Sequence, residues 1–153
     1  MAVRAAYDPT AGEVLTAVNL EKLAGGWIGY ADTATSQGPI TAEADLTSLT
    51  VTVTVGTGRR IRITGYTWLS SNVADDVAAV YIKEGTTYLG RGQVTCALAS
   101  AGNTATGQAV ITPTAGAHTY KLACARPTGS GNVTSNASPS DLPFILVEDI
   151  GSA

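Results

Sequence analysis

Between positions 49 and 55 the chain alternates without a break: Leu49, Val51, Val53 and Val55 are apolar, and Thr50, Thr52 and Thr54 lie between them. A period of two sends the aliphatic side chains to one face of an extended strand and the threonines to the other. After Gly56-Thr57-Gly58 the alternation resumes, with Ile61, Ile63 and Leu69 on one side and Arg60, Arg62, Tyr66 and Trp68 on the other. The pattern predicts two strands joined as a β-hairpin by the glycine-rich turn.

Weaker versions of the same period follow on either side. Residues 27–35 read as a first strand, and residues 77–84 turn through Gly85-Thr86-Thr87 into Tyr88-Leu89. Residues 91–98 continue the series, residues 106–112 and 118–123 flank a turn at 113–117, and residues 143–150 close it as an apolar strand. The Ser-, Gly- and Asn-rich stretch 127–141 reads as a mobile loop. About eight short strands separated by turns predict an all-β chain, a jelly-roll-like two-sheet sandwich.

The N-terminal stretch has a different period. Leu15, Val18, Leu20 and Leu23 do not alternate, and the pattern predicts a short helix over about residues 15–23, ended by Gly25-Gly26. At roughly two to three turns such a helix needs a surface to pack on. The chain therefore divides into a segment 1–26 and a sandwich domain 27–153.

Composition narrows the class of function. Charged residues make up 14% of the 153, well under the roughly 25% of ordinary soluble domains. There are 22 threonines and 17 glycines, the residues of pleated surfaces and tight turns. Nine Lys and Arg with a net charge of −3 cannot supply the basic footprint that a phosphate backbone requires, so nucleic acid is excluded as a partner. No run approaches the roughly 18–20 apolar residues of a membrane span, so no membrane insertion is expected. The opening residues lack the apolar core of a secretory signal, which predicts synthesis in the cytoplasm.

Catalytic chemistry is sparse. His118 is the only histidine, and it lies beside a turn rather than near a nucleophile, so an enzyme is not expected. Cys96 and Cys124 lack metal-ligand spacing; they read as two buried small side chains, with a disulfide open if their strands are neighbours. Asp75-Asp76 reads as a solvated loop with Ca²⁺ binding as the alternative, and the Gly56-Thr57-Gly58 turn before Arg59-Arg60 is explained by turn geometry without an anion. Glu148 and Asp149 fall on opposite faces of the last strand. The sequons at Asn132 and Asn136 read as chance matches. No cofactor and no metal are predicted. Tyr66, Trp68 and Tyr81 are the candidate interface or ligand-stacking residues, with core filling as the competing role for Trp27 and Trp68.

Five stretches, residues 10–17, 26–30, 49–63, 113–122 and 143–150, give the chain a resemblance to small virion proteins of tailed actinobacterial phages. The resemblance implies a non-enzymatic β-sandwich structural protein of the virion, a homotrimer attached to the particle by its N-terminal segment. That assigns attachment to Leu15, Val18, Leu20 and Leu23, and other virion proteins become partners. A minor tail (tip or fibre) component is the first expectation and a capsid decoration protein the alternative. A further alternative is a module for host receptor or cell-surface glycan, using loops 70–76 and 127–141 with Tyr66 or Trp68 as platforms.

Overall fold

The computed structural model describes residues 25–153, and the predicted helix at 15–23 lies outside them. The ten strands are β1 (Gly26–Asp32), β2 (Gln37–Ile40), β3 (Ala44–Val55), β4 (Arg59–Ser71), β5 (Asp76–Glu84), β6 (Thr87–Cys96), β7 (Gly102–Ile111), β8 (Gly116–Thr128), β9 (Val133–Asn136) and β10 (Phe144–Ser152). They form a two-sheet jelly-roll sandwich. One sheet has four strands in the order β3-β8-β5-β6; the other runs β1-β10-β4-β9-β2 with β7 on β4. All the pairings are antiparallel.

The alternation read at 49–55 and 60–69 places the side chains as expected. Leu49, Val51, Val53, Val55, Ile61, Ile63 and Leu69 are all buried in one core with Val80, Ile82, Leu122, Ile145 and Val147. The predicted hairpin is wrong. β3 pairs with β8, whereas β4 pairs with β7, β9 and β10, so the turn at 56–58 carries the chain from one sheet to the other. Two strands whose apolar faces look at each other across a core share the alternation of a hairpin, because face direction says nothing about the edge on which a partner lies. The same holds for β7 and β8, which lie in opposite sheets on either side of the turn at 113–115.

The stretch 127–141, expected to be a mobile loop, contains the end of β8 and the whole of β9. Val133-Thr134-Ser135-Asn136 pairs with β4 through Trp68↔Asn136 and Ser71↔Val133, and with β2 through Gln37↔Ser135. Its composition hid it: the apolar side chain sent to the core is Val133, and Ser135 is buried against Thr67 through a 2.6 Å hydroxyl contact. A buried hydroxyl pair satisfies itself inside a core, but leaves no hydrophobic period in the sequence.

β4 is the organising strand of its sheet. One edge is paired with β7 along Ile61 to Ser70; the other is shared by β10, over Arg59 to Tyr66, and β9, over Trp68 to Ser71. The sandwich closes laterally where β6 and β7 meet backbone to backbone. A methyl at Gly90 would lie 2.5 Å from the Gln108 carbonyl oxygen, and one at Gly92 would overlap the Thr106 carbonyl, so only glycine permits the approach.

Candidate functional site: an aromatic lattice on one outer sheet face

The outward side chains of β1, β10, β4 and β7 form three rows across the sheet. Asp32, Phe144, Tyr66 and Thr106 make the first, and Tyr30, Leu146, Thr64 and Gln108 the second. Trp27, Glu148, Arg62 and Val110 make the third. Trp68 extends the face one step further along β4, between Asn136 and Thr104. Cross-strand neighbours are the contacts through which a sheet face acts as a surface.

Four of these side chains touch in sequence. Trp27 and Tyr30 lie with ring centroids 6.2 Å apart, Tyr30 and Phe144 at 6.0 Å, and Phe144 and Tyr66 at 5.3 Å, with interplanar angles of 14°, 29° and 16°. Nearly parallel, offset rings in this range attract one another beyond their area burial. Trp27 is 71% exposed, Tyr30 48%, Val110 49% and Trp68 36%, so the core-filling role weighed for both tryptophans is excluded.

A β-bulge makes the lattice possible. In a regular strand Trp27 and Tyr30, three apart, would point to opposite faces. The register slips between Trp27 and Gly29, so Trp27 pairs with Glu148, Gly29 with Val147 and Tyr30 with Leu146. The extra residue, Ile28, turns both aromatics outward. Gly29 then faces inward, where any side chain would strike the Val51 and Val53 methyls.

The polar groups of the face are largely closed within the chain. Arg62 donates through Nε and Nη2 to the two Glu148 oxygens at 2.8 and 3.0 Å. This fork holds the Glu148 carboxyl below its ordinary pKa and the guanidinium above its own. The Tyr30 hydroxyl donates to Asp32 at 3.1 Å and the Tyr66 hydroxyl to Asp141 at 2.5 Å. The bond to Asp141 raises the Tyr66 pKa, so the phenol stays neutral. The result is an aromatic and hydroxylic face with little net charge.

Of the three predicted contact residues, Tyr66 and Trp68 lie on this face, two apart on β4. Tyr81 does not. It stands on the outer face of the other sheet, edge-on to Tyr88 at 5.2 Å with the Arg91 guanidinium 5.4 Å from its ring. Beside it the Lys83 ammonium and the Tyr88 hydroxyl both donate to Glu43, and Lys121 pairs with Asp45. The attachment residues Leu15, Val18, Leu20 and Leu23 lie outside the described residues. Trp27, Tyr30 and Phe144 were missed as contact residues because a strict period of two splits the first two across faces. For Phe144 the signal was its position at the start of the apolar strand 143–150.

The two loops singled out as contact regions are joined through a buried carboxylate. Asp76, expected in a solvated or Ca²⁺-binding loop, is 1% exposed. It accepts the Ser71 hydroxyl at 2.6 Å and the amides of Ser130 and Gly131 at 3.0 and 2.9 Å. These donors, the Ser71 hydroxyl foremost, hold its carboxyl below the ordinary range. Asn72 adds a second tie, its Oδ1 accepting from the Asn132 amide at 2.6 Å. With its oxygens occupied by protein donors, Asp76 is a structural clamp, and no group of three or more metal-ligating side chains occurs among the described residues.

His118 is paired, not free in a turn: Nδ1 lies 2.7 Å from Glu84 Oε1 and Nε2 2.8 Å from the Thr114 carbonyl. Two acceptors suit the imidazolium, and its pKa is raised, first by Glu84. Asp149 takes Arg59 in a bidentate pair at 2.8 and 2.7 Å, on the side of the strand opposite Glu148, as alternation required. Cys96 and Cys124 are buried free thiols, and burial pushes the Cys124 pKa up to about 12.

No family model and no curated protein matches the chain in sequence. In fold it is similar to Eiger TNF from S. frugiperda, with a TM-score of 0.52, 12% identity, and coverage of 84% of this chain and 95% of that one. It is similar in the same degree to murine APRIL, with a TM-score of 0.52, 8% identity and coverage of 82% and 99%. A β-1,3-glucan-binding CBM6 from Bacillus halodurans overlays at a TM-score of only 0.33 with 18% identity over 84% and 87% of the two chains, too loosely to bear on ligands. At these identities the likeness concerns architecture alone, and what it establishes is the all-β jelly-roll sandwich.

Proposed function

We propose that the chain is a non-enzymatic structural protein of a tailed-phage virion. On this reading it is a minor tail component that assembles as a homotrimer and is attached to the particle through residues 1–26. The supporting observation is the outer face of β1-β10-β4-β7, where three stacked ring contacts end in a tryptophan 71% exposed. Taking roughly 200 Å² per aromatic side chain, Trp27, Tyr30 and Trp68 alone present roughly 300 Å² of largely apolar surface, within the size range of a typical monomer's largest patch, which is often functional. The face has no nucleophile–base pair; it is built for contact.

The fold permits this use. The sandwich closes laterally where β6 meets β7 and the loops at one end are clamped through Asp76, so the face is presented on a stiff body. Threonine, serine and glycine around the aromatics lose little side-chain entropy when covered by a neighbour. Capsid decoration would use the same face on the head surface.

Immunogold labelling of purified virions with antibody to this chain tests the reading. Gold at or along the tail supports it, gold over the head selects decoration, and particles without gold refute the virion assignment.

A further inference from the structure

Trp68 does not stand off the sheet; it is laid across it. A side chain at Gly102, its diagonal neighbour on β7, would overlap Nε1 and Cε2 of the indole and come within 2.6 Å of Cζ2. The ring fills the space that a residue with a Cβ would take there. One side lies against the β7 backbone and the other meets solvent, with the residue 36% exposed. The result is an aromatic surface fixed in place and open on one side.

Polar acceptors border this ring. Asn136, opposite Trp68 on β9, shares its amide nitrogen among the Trp68 carbonyl, Ser70 Oγ and the Thr134 carbonyl at 3.2, 2.9 and 3.3 Å. Those three acceptors fix which end of the amide donates, and Oδ1 has no donor among the described residues. Asp141 takes the Tyr66 hydroxyl on Oδ1 at 2.5 Å, and its Oδ2 is likewise without a donor among them. Both residues are half-buried, so their free oxygens are held but reachable. The support is firm: Asp141 exchanges two 3.0 Å backbone bonds with Ser138, and the Ala137 amide is tied to Ser36 Oγ at 2.9 Å.

We infer that this corner is a subsite for a neutral pyranose unit of a glycan. The inference rests on the reading of the outer face as a contact surface and gives one end of it a ligand. A pyranose has an apolar face of C–H groups bordered by hydroxyl donors. The C–H face covers the indole, and the hydroxyls donate to Asp141 Oδ2 and Asn136 Oδ1. A purely apolar ligand would strip water from both acceptors and return no hydrogen bond. A phosphate or an acidic sugar would meet the Asp141 carboxylate, while Arg60 and Arg62 lie farther along β4, beyond Tyr66. A peptide donates from amides spaced along an extended edge, not from a rim around a flat apolar face. A rigid sugar ring also loses little freedom at a site already in position.

Saturation-transfer difference NMR on the full chain tests this with the methyl glycosides of glucose, galactose, mannose and N-acetylglucosamine, and with methyl glucuronoside as the acidic control. At least one neutral glycoside should take up saturation, most strongly on the C–H protons of one ring face. Trp68→Ala, with its circular dichroism spectrum unchanged, should weaken that binding roughly tenfold, and Trp68→Phe should restore part of it. Asp141→Asn should lessen the preference for neutral over acidic sugar, and Tyr81→Phe, on the other sheet, should change nothing. No saturation of any neutral glycoside, equal uptake by the glucuronoside, or binding that survives Trp68→Ala overturns the inference. A chain that labels virion tails but takes up no glycoside refutes this inference alone, whereas glycoside binding by a chain absent from virions refutes the virion reading alone.

Discussion

Phe144 lies directly opposite Tyr66 across the β10–β4 ladder, with ring centroids 5.3 Å apart and planes 16° from parallel. Seventy-eight positions apart in sequence, the two rings meet because β4 accepts β10 along its first half and β9 along its second. The pair bridges Tyr30 on one side and the β7 threonines on the other, so it is the middle of the face.

The carboxylate of Asp76 holds loops 71–76 and 129–132 together with three donors, so Asp76→Ala leaves Ser71 and two amides without their acceptor. We expect a fall in Tm of roughly 5–10 °C by differential scanning calorimetry. Ser71→Ala, which removes one donor, should cost less. Because folding lowers the Asp76 pKa, its contribution is present above the unfolded value and is lost as pH falls through the folded one. The wild type should lose more Tm than Asp76→Ala in that acid range; equal losses would contradict the clamp.

His118 gives the opposite sign. Its pKa is raised by Glu84 and by the Thr114 carbonyl. The stabilisation is therefore complete below the unfolded value of about 6.5 and is lost as pH rises through the folded value. Tm measured from acid to alkaline pH should fall through this window in the wild type and flatten in Glu84→Gln. A parallel decline in both proteins would show that the pair is not coupled to folding.

The Tyr120 hydroxyl is buried with no hydrogen-bond partner, and burial, with Glu84 nearby, pushes its pKa up to about 12. Removing an unsatisfied polar atom while keeping the ring relieves a desolvation cost. Tyr120→Phe should stabilise the fold by roughly 1 kcal/mol in urea titration. A destabilised variant would mean that the hydroxyl has a partner.

Gly92 allows β6 and β7 to touch. Gly92→Ala drives a methyl against the Thr106 carbonyl, a backbone atom held in the β4–β7 ladder. The expected cost is roughly 1–3 kcal/mol, read from chemical denaturation against Thr95→Ala, an exposed control on the same strand that should change little.

How much of this was legible in the sequence follows from what each pattern encodes. Leu49 through Val55 and Ile61 through Leu69 announced their strands and their inward faces, because alternation reports burial. It does not report partners, which is why β3 and β4 read as a hairpin although they lie in opposite sheets. Trp27 and Tyr30 share a face only because of the bulge at Ile28, and one extra residue inverts any period-two assignment. β9 was unreadable because its buried Ser135 is satisfied by Thr67 and gives no apolar signal. Asp76 looked like a loop carboxylate because its donors come from Ser71 nearby and from Ser130 and Gly131 more than fifty positions away. Tyr66 and Trp68 were correctly sent outward, whereas Tyr81 belongs to the other sheet.

Sedimentation velocity on the full wild-type chain and on Trp27→Lys, at micromolar concentration, tests the central claim that this face works by contact between copies. The account predicts a single oligomeric species for the wild type and a monomer with unchanged circular dichroism for Trp27→Lys. A wild type that sediments as a monomer, or a variant that keeps the oligomer, would contradict it.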